Sequence, residues 1–195
     1  MKGSAPACQE GILACAIPLF ARGGFSGVSM REIARAVGLN AATLYYHFAD
    51  KETLYRAAIR QAFADRARLL SAALAAPLPA EERVREFVVN LCGLLHRDPD
   101  FPRLLQREIL DGDEKRLRFI AEELFGTLFS ALTETSRELA PERDPFLLAI
   151  SIIGLAAYHY QLAPLRAFLP GARPAYDDPA AVAAHIISLL TGYHL

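Results

Sequence analysis

The stretch from Ser29 to Lys51 constrains the fold of this chain more than any other part of the sequence. Ser29 and Glu32 have the spacing of a capping box, in which the serine hydroxyl accepts an N–H of the first helical turn and the glutamate reaches back. Gly38 stands where such a short helix must end with positive φ. Asn40 is a favoured N-cap for a second helix, which should end at about residue 48. Two short helices joined by a tight glycine turn predict a helix-turn-helix motif.

The second helix of this motif carries side chains suited to a nucleic-acid partner. The side chains of its first turn are small enough to let the helix lie deep in a major groove. Hydrogen-bond donors of the kind that contact phosphates follow within ten residues. The small residues are Ala41, Ala42 and Thr43, and the donors are Thr43, Tyr45, Tyr46, His47 and Lys51. The alternative is a core role in a helical bundle for Leu44, Tyr45 and Phe48, and Tyr45 can serve in both ways.

The run from Ile12 to Leu54 resembles the DNA-binding head of TetR/AcrR-type bacterial transcriptional regulators. The matching residues are Ile12, Ala16, Leu19, Phe20, Gly24, Phe25, Ser29, Ile33, Ala34, Gly38, Thr43, Leu44, Tyr45, His47, Phe48, Lys51 and Leu54. The resemblance implies a helix-turn-helix DNA-binding domain over residues 1–50 and an effector-binding and dimerisation domain over residues 51–195. It implies a homodimeric, ligand-responsive regulator of a near-palindromic double-stranded DNA operator, and it favours a repressor.

We assign a role in DNA binding to ten residues of this head. The helix that starts at Asn40 is expected to enter the major groove. Phosphates are expected to be held by Ser29, Tyr45, Tyr46, His47 and Lys51. Candidates for base-edge contacts are Arg31 and Thr43. Ala41 and Ala42 can make only apolar contacts, for instance with a thymine methyl group.

The distribution of charge agrees with a DNA partner at one end of the chain. The formal net charge of the whole chain is −1. Residues 1–70, however, carry nine Lys or Arg against five Asp or Glu, whereas residues 71–195 carry twelve against seventeen. A net charge of +4 on the first part and −5 on the second is the asymmetry expected when only one end meets phosphate.

Apolar periodicity predicts an all-helical fold of about nine helices. The first should run from about Ala7 to Arg22 and kink at Pro18, because a proline removes one backbone hydrogen bond inside a helix. Asp50 should cap a long helix that reaches about Ala76. The sequence shows no strand pattern and no internal repeat. Further helices are predicted over residues 81–97, 99–110, 114–139, 145–163 and 178–190.

Residues 146–165 form a run of twenty residues without a charged side chain, which is the length of a membrane span. The polar His159 and Gln161 lie at its C-terminal end, and no second such run exists. A helix that is apolar on all sides is buried by a neighbour or a partner chain. By the family resemblance, this helix and the last one form the four-helix bundle of a dimer, and no membrane partner is expected.

The resemblance also implies a cavity for an effector within the body of the protein. Six residues on the helices concerned are candidates to line it: Phe87, Leu91, Phe125, Phe129, Tyr158 and His159. Such a cavity suits a hydrophobic or aromatic small molecule, oriented by His159 or a neighbouring tyrosine. The long helix from Asp50 is expected to transmit the change to the head. Arg107 and Glu108 are interpreted as an exposed face rather than as ligand contacts.

Other classes of function have little support in the sequence. We find no nucleophile elbow, phosphate loop, metal-ligand spacing or paired carboxylates, so neither an enzyme nor a bound metal or cofactor is predicted. Cys8, Cys15 and Cys92 are interpreted as bystander thiols, and the N-terminus lacks a signal-peptide pattern, which indicates a cytoplasmic protein. Two alternatives remain open: an effector-independent DNA binder, and a helical small-molecule-binding protein or enzyme with a degenerate head.

Overall fold

The computed structural model describes residues 9–191, which fold into α-helices joined by turns, with no β-strand in that range. The all-helical prediction is confirmed. The head, residues 9–50, consists of α1 (Gln9–Gly23), α2 (Met30–Val37) and α3 (Ala41–His47). The body, residues 51–191, consists of α4 (Lys51–Leu74), α5 (Ala80–Arg97), α6 (Asp100–Asp111), α7 (Glu114–Phe119), α8 (Gly126–Leu139), α9 (Pro145–Gln161), α10 (Ala163–Arg166) and α11 (Pro179–Thr191).

Side-chain caps fix the starts of the helices that build the motif. The Ser29 hydroxyl accepts the Glu32 N–H at 3.2 Å, and the Glu32 carboxylate accepts the Ser29 N–H at 2.7 Å, which completes the predicted capping box. Asn40 and Asp50 cap α3 and α4 by accepting the backbone N–H of the residue three positions further on, Thr43 and Thr53. Gly38 ends α2 at φ 75°, in the left-handed region that a glycine adopts without steric cost.

α1 lies against the start of the body. Ile12, Ala16 and Phe20 are fully buried along one side of this helix, as their spacing predicts. The helix continues across Pro18, and the kink expected there stays a prediction. The predicted first residue, Ala7, lies outside the described residues, as does Cys8.

The long helix α4 forms the centre of the body. Its Tyr55 packs edge-on against Phe20 of α1, with ring centroids 4.5 Å apart. Further along, Phe63 contacts the rings of Phe101 and Phe125 at 5.1 and 5.4 Å. α5 and α8 pack on α4, and α9 and α11 pack on α5. One continuous apolar core therefore joins head and body, and the division at residue 50 remains a prediction.

The helix predicted over residues 114–139 is interrupted, and that detail of the prediction was wrong. After α7, residues Ile120–Leu124 form a π-helical turn in which the Phe125 N–H bonds the Ile120 carbonyl at 3.0 Å. α8 then starts at Gly126. The extra residue in this turn rotates all later side chains relative to α7.

The segment after α9 is also more structured than expected. α9 ends at Gln161, the short α10 follows, and a 3₁₀ turn covers Pro174–Asp177. The described residues thus hold eleven α-helices rather than about nine. Although α9 is strongly apolar, no helix within residues 9–191 is long and apolar enough to cross a membrane.

Candidate nucleic-acid interface and apolar cavity

α3 is held on the head by two of its apolar side chains. Leu44 is fully buried and Phe48 is buried just after the helix. At its N-terminus, Asn40 Oδ1 accepts both the N–H of Thr43 at 2.8 Å and its hydroxyl at 3.0 Å. The start of the helix is therefore fixed. Thr43 keeps only the acceptor lone pairs of its hydroxyl for another partner.

The opposite side of α3 is exposed and carries aromatic hydroxyls. Tyr46 is 88% exposed and Tyr45 is 50% exposed, while Ala42 is exposed and Ala41 half-buried. His47 is half-buried, and its ring lies 5.6 Å from that of Tyr46. Of the three residues for which a core role was considered, Leu44 and Phe48 have that role and Tyr45 does not.

Three further residues predicted to bind DNA lie around this helix. Ser29 and Arg31 are exposed at the start of α2. The Ser29 hydroxyl also donates to the Glu32 carboxylate at 2.8 Å, and this bond, together with the one from the Ser29 backbone, holds the pKa of Glu32 below its usual range. The hydroxyl is therefore engaged in the cap, whereas Arg31 is exposed to solvent.

Lys51 has two contacts within the protein. Its ammonium donates to the Val28 carbonyl at 2.9 Å and lies 4.3 Å from the centre of the Phe25 ring. An ammonium has three N–H donors. The Val28 bond uses one of them, so Lys51 is both fixed in place and able to contact another group at the first turn of α4.

The body encloses an apolar cavity of about 240 Å³ between α5, α6, α8 and α9. Phe87, Leu91, Phe125 and Phe129 lie in its walls, at positions that the sequence singled out. No charged side chain of residues 9–191 is among its lining groups, and the polar Gln161 lies at one side. The remaining lining residues are Leu70, Leu95, Phe101, Pro102, Leu105, Ile109, Leu128, Ile150, Ile153 and Ala157.

Tyr158 and His159 do not line this cavity, and their expected placement there was wrong. Along α9 the cavity-facing residues recur at positions 150, 153, 157 and 161, so the next two positions after 157 point elsewhere. Tyr158 is 61% exposed. His159 Nε2 bonds the Tyr176 carbonyl at 2.9 Å, and burial lowers the pKa of this imidazole.

The interpretation of residues 107 and 108 as an exposed face was also wrong. Glu108 is fully buried and accepts a hydrogen bond from Arg116 at 2.8 Å, and Arg107 is half-buried against α1. These contacts could not be predicted from the sequence, because a charged pair between leucines is typical of an exposed turn of an amphipathic helix.

The outer side of α9 presents a stripe of exposed residues at helical spacing: Leu147, Ser151, Gly154 and Tyr158. Leu147 is 63% exposed, and Leu155 beside the stripe is 39% exposed. On α11, Ala181, Ala184 and Ser188 are exposed in a similar stripe. Both helices thus carry outward faces of apolar and small residues, which allow close approach of another helix.

A capped helix-turn-helix with an exposed second helix, joined to a helical body with an apolar cavity, defines a class of two-part DNA-binding proteins. Residues 12–58 match the family of bacterial regulatory proteins described as the tetR family. This part of the chain therefore belongs to that family of regulators. Its members are transcriptional regulators and not enzymes, which agrees with the prediction from the sequence motifs.

Individual relatives and one solved structure agree with this assignment. The chain is 31% identical over 134 residues to the HTH-type transcriptional regulator RutR of Escherichia coli O157:H7, which covers 68% of this chain and 60% of RutR. It is 34% identical over 55 residues to the biofilm operon icaADBC negative transcriptional regulator IcaR of Staphylococcus epidermidis, covering 28% of this chain and 30% of IcaR. The chain therefore spans between about a third and three fifths of these curated relatives.

The structure of AibR, determined in complex with isovaleryl coenzyme A and operator DNA, is similar over 95% of this chain and 99% of that chain. The TM-score is 0.72 and the sequence identity 22%, so this likeness concerns the fold.

Proposed function

We propose that this protein is a transcriptional repressor that binds a near-palindromic DNA operator as a homodimer and is released by a hydrophobic small molecule. The observation that carries the proposal is the exposure of Tyr45 and Tyr46 on a capped α3 whose inner face is fully buried. Large aromatic side chains held in the open on a rigid helix indicate a surface made for a partner.

In this proposal α3 lies in the major groove and the caps of α2 and α3 set its angle. Phosphates are contacted by Tyr45, Tyr46, His47 and Lys51, with Ser29 at the start of α2. Base edges are contacted by Arg31 and Thr43, and Asn40, Ala41 and Ala42 lie along the groove. The Ser29 hydroxyl and backbone N–H both donate to Glu32, so Ser29 must exchange one of these bonds to donate to a phosphate. The exposed Arg31 beside it therefore supplies most of the donors at the start of α2.

The test begins with selection of bound duplexes from random DNA by the purified protein, followed by a gel shift. We expect one enriched near-palindromic sequence. Tyr46→Ala should weaken its binding by about tenfold or more, corresponding to loss of one or two phosphate and groove contacts. The matched control is Tyr176→Ala in the body, where the tyrosine is 44% exposed. If both variants bind the selected duplex as tightly as the unchanged protein, α3 is not the recognition helix.

The outer faces of α9 and α11 support the homodimer. The two stripes together would form an intermolecular four-helix bundle when a second copy is related by a two-fold axis. Two copies of α3 would then lie roughly 35 Å apart, one turn of DNA, which explains why a near-palindromic operator is expected.

The cavity supports the effector part of the proposal. An apolar space of about 240 Å³ lined by aliphatic and aromatic groups suits a small uncharged molecule or the apolar part of a larger one. A buried charge without a partner would be strongly disfavoured there. AibR, whose structure contains isovaleryl coenzyme A together with operator DNA, has the same fold. The isovaleryl group of that ligand is apolar, as the lining of this cavity requires.

A further inference from the structure

The cavity in the body is an elongated slot rather than a rounded space. On α5 its lining residues recur every four positions, at Phe87, Leu91 and Leu95, and on α9 they recur from Ile150 to Gln161. At 1.5 Å per residue these two rows are roughly 12 and 16 Å long. Residues three or four positions apart share one face of a helix, so each row forms a continuous wall. The slot therefore runs along both helices.

The two ends of this slot differ in chemistry. The ring of His96 at the end of α5 lies 6.4 Å from the ring of Tyr160 at the end of α9. Leu95 and Gln161 therefore lie at one end of the slot, and the first residues of both rows lie at the other. Among the lining side chains that the structure describes, only that of Gln161 is polar. One end of the slot thus carries an amide, and the rest of its lining is apolar.

The amide of Gln161 is available to a ligand. The residue is exposed at the end of α9, and within residues 9–191 its side chain has no hydrogen-bond partner. An amide offers two N–H donors and a carbonyl acceptor, which bond water when no ligand is present. An alkyl group placed against the amide removes this water without replacing its hydrogen bonds. A hydroxyl or carbonyl group of the ligand replaces them, so the slot favours a ligand with such a group at this end.

The volume of the slot sets the size of the apolar part of the ligand. A cavity of about 150 Å³ in another protein holds benzene, so the 240 Å³ found in this slot have room for roughly eight to ten carbon atoms. An unbranched chain of that size extends along both walls. A compact ring system with as many carbons would touch only part of each wall and push the two apart.

We propose that Gln161 is a specificity-determining residue that orients an unbranched chain of about eight to ten carbons by bonding a neutral hydroxyl or carbonyl group at its end. The ligand class comprises straight-chain alcohols and acyl esters, thioesters or amides, with any charged part in water beyond Gln161. The inference rests on the proposed function, because it takes the cavity as the effector site. The orienting role that the sequence assigned to His159 belongs in this proposal to Gln161.

The first experiment compares isomers of one alcohol by isothermal titration calorimetry of the purified full-length protein. The hydroxyl of 1-octanol reaches Gln161, whereas that of 4-octanol would be buried in the middle of the slot. We expect 1-octanol to bind about tenfold or more tightly, because a buried hydroxyl without a partner is disfavoured. Cyclooctanol, with eight carbons in a compact ring, should bind about fivefold or more weakly than 1-octanol.

Variants of Gln161 then test its donors and its acceptor separately. Gln161→Leu should weaken 1-octanol by about threefold to tenfold and 4-octanol by less than about twofold, because only the first loses a hydrogen bond. Gln161→Glu keeps an acceptor and removes the donors. It should retain 1-octanol, which can donate, and weaken methyl octanoate, which can only accept, by about threefold to tenfold. The matched control is Gln106→Leu, exposed on α6 outside the slot, which should leave the affinity for each probe unchanged.

Equal affinities of the unchanged protein for 1-octanol and 4-octanol would overturn the proposal, and so would binding of none of the four probes. Cyclooctanol that binds as tightly as 1-octanol would reject the unbranched chain. A purely structural role of Gln161 would weaken all ligands together and would not separate the alcohol from the ester in Gln161→Glu. These titrations contain no DNA. Their failure, with operator binding and ligand release intact, would reject the role of Gln161 and leave the proposed regulator standing.

Discussion

Several side chains of the head have a structural contact in addition to the one proposed with DNA. Lys51 is bonded to Val28 and lies over Phe25, and the Ser29 hydroxyl is part of a capping box. Such internal contacts hold a donor in one position before DNA arrives, which lowers the entropy that binding must remove. A substitution of Lys51 or Ser29 can therefore weaken DNA binding by displacing neighbouring residues of the head as well as by removing a donor or a charge.

Replacing Lys51 tests its contact with phosphate. Lys51→Ala should weaken binding to all duplexes similarly and lower the slope of log affinity against log salt by about one unit, because one fewer counterion is released. Lys115→Ala, at an exposed site on α7, should leave the slope unchanged. Titrations at several salt concentrations give the slope, and an unaltered slope for Lys51→Ala would exclude this residue from the DNA interface.

The buried carboxylate of Glu108 offers a second test at the scale of single residues. Because Glu108 is fully buried and Arg116 nearly so, removing the carboxylate leaves Arg116 paired only with the exposed Asp111 and Asp113 at 3.5 Å, and leaves the buried Tyr55 hydroxyl without its acceptor. Glu108→Ala should lower the free energy of unfolding by about 3–5 kcal/mol. Tyr55→Phe removes only one donor and should cost about 1–3 kcal/mol. Urea denaturation measures both values, and a loss below about 1 kcal/mol for Glu108→Ala would contradict the network.

At the scale of helices, the local sequence predicted where a helix begins more accurately than which of its sides faces the core. Ser29, Asn40 and Asp50 identified the starts of α2, α3 and α4, because a capping bond forms between residues three positions apart. The π-helical turn before α8 could not be recognised, since the apolar pattern continues through it. Tyr158 was misplaced because α9 is apolar on nearly all sides, so no polar face indicates its rotation.

The exposed stripe of α9 gives a prediction for assembly. Leu147→Arg combined with Tyr158→Arg should convert the dimer into a monomer, since two guanidinium groups would be buried unpaired in the interface. Leu110→Arg on α6, where the leucine is 76% exposed away from this stripe, is the matched control and should remain dimeric. Sedimentation velocity at micromolar concentration distinguishes the two states. A monomeric unchanged protein would remove the proposed interface altogether.

For the whole molecule, the sequence predicted a DNA-binding head and an effector-binding body, and the structure adds the contacts between these two parts. The basic first part of the chain and the acidic remainder follow from composition alone. The burial of Glu108 within the body could not be deduced, because it depends on side chains from α4, α6 and α7 meeting in space. The cavity likewise combines residues from five helices that are far apart in sequence.

The chemistry of the cavity predicts which molecules the whole protein should recognise. A neutral eight-carbon alcohol and the eight-carbon carboxylate have the same hydrocarbon chain, but only the alcohol avoids burying a charge among groups that cannot pair with it. At about a hundred times its dissociation constant, the alcohol should raise the melting temperature by roughly 5–10 °C, whereas the carboxylate should not. Leu105→Trp, which fills the cavity, should abolish this shift. Leu110→Trp, about one and a half turns further along α6 and exposed to solvent, should preserve it. Equal stabilisation by the carboxylate would show that the ligand binds elsewhere, or that its charged end remains in water at the mouth.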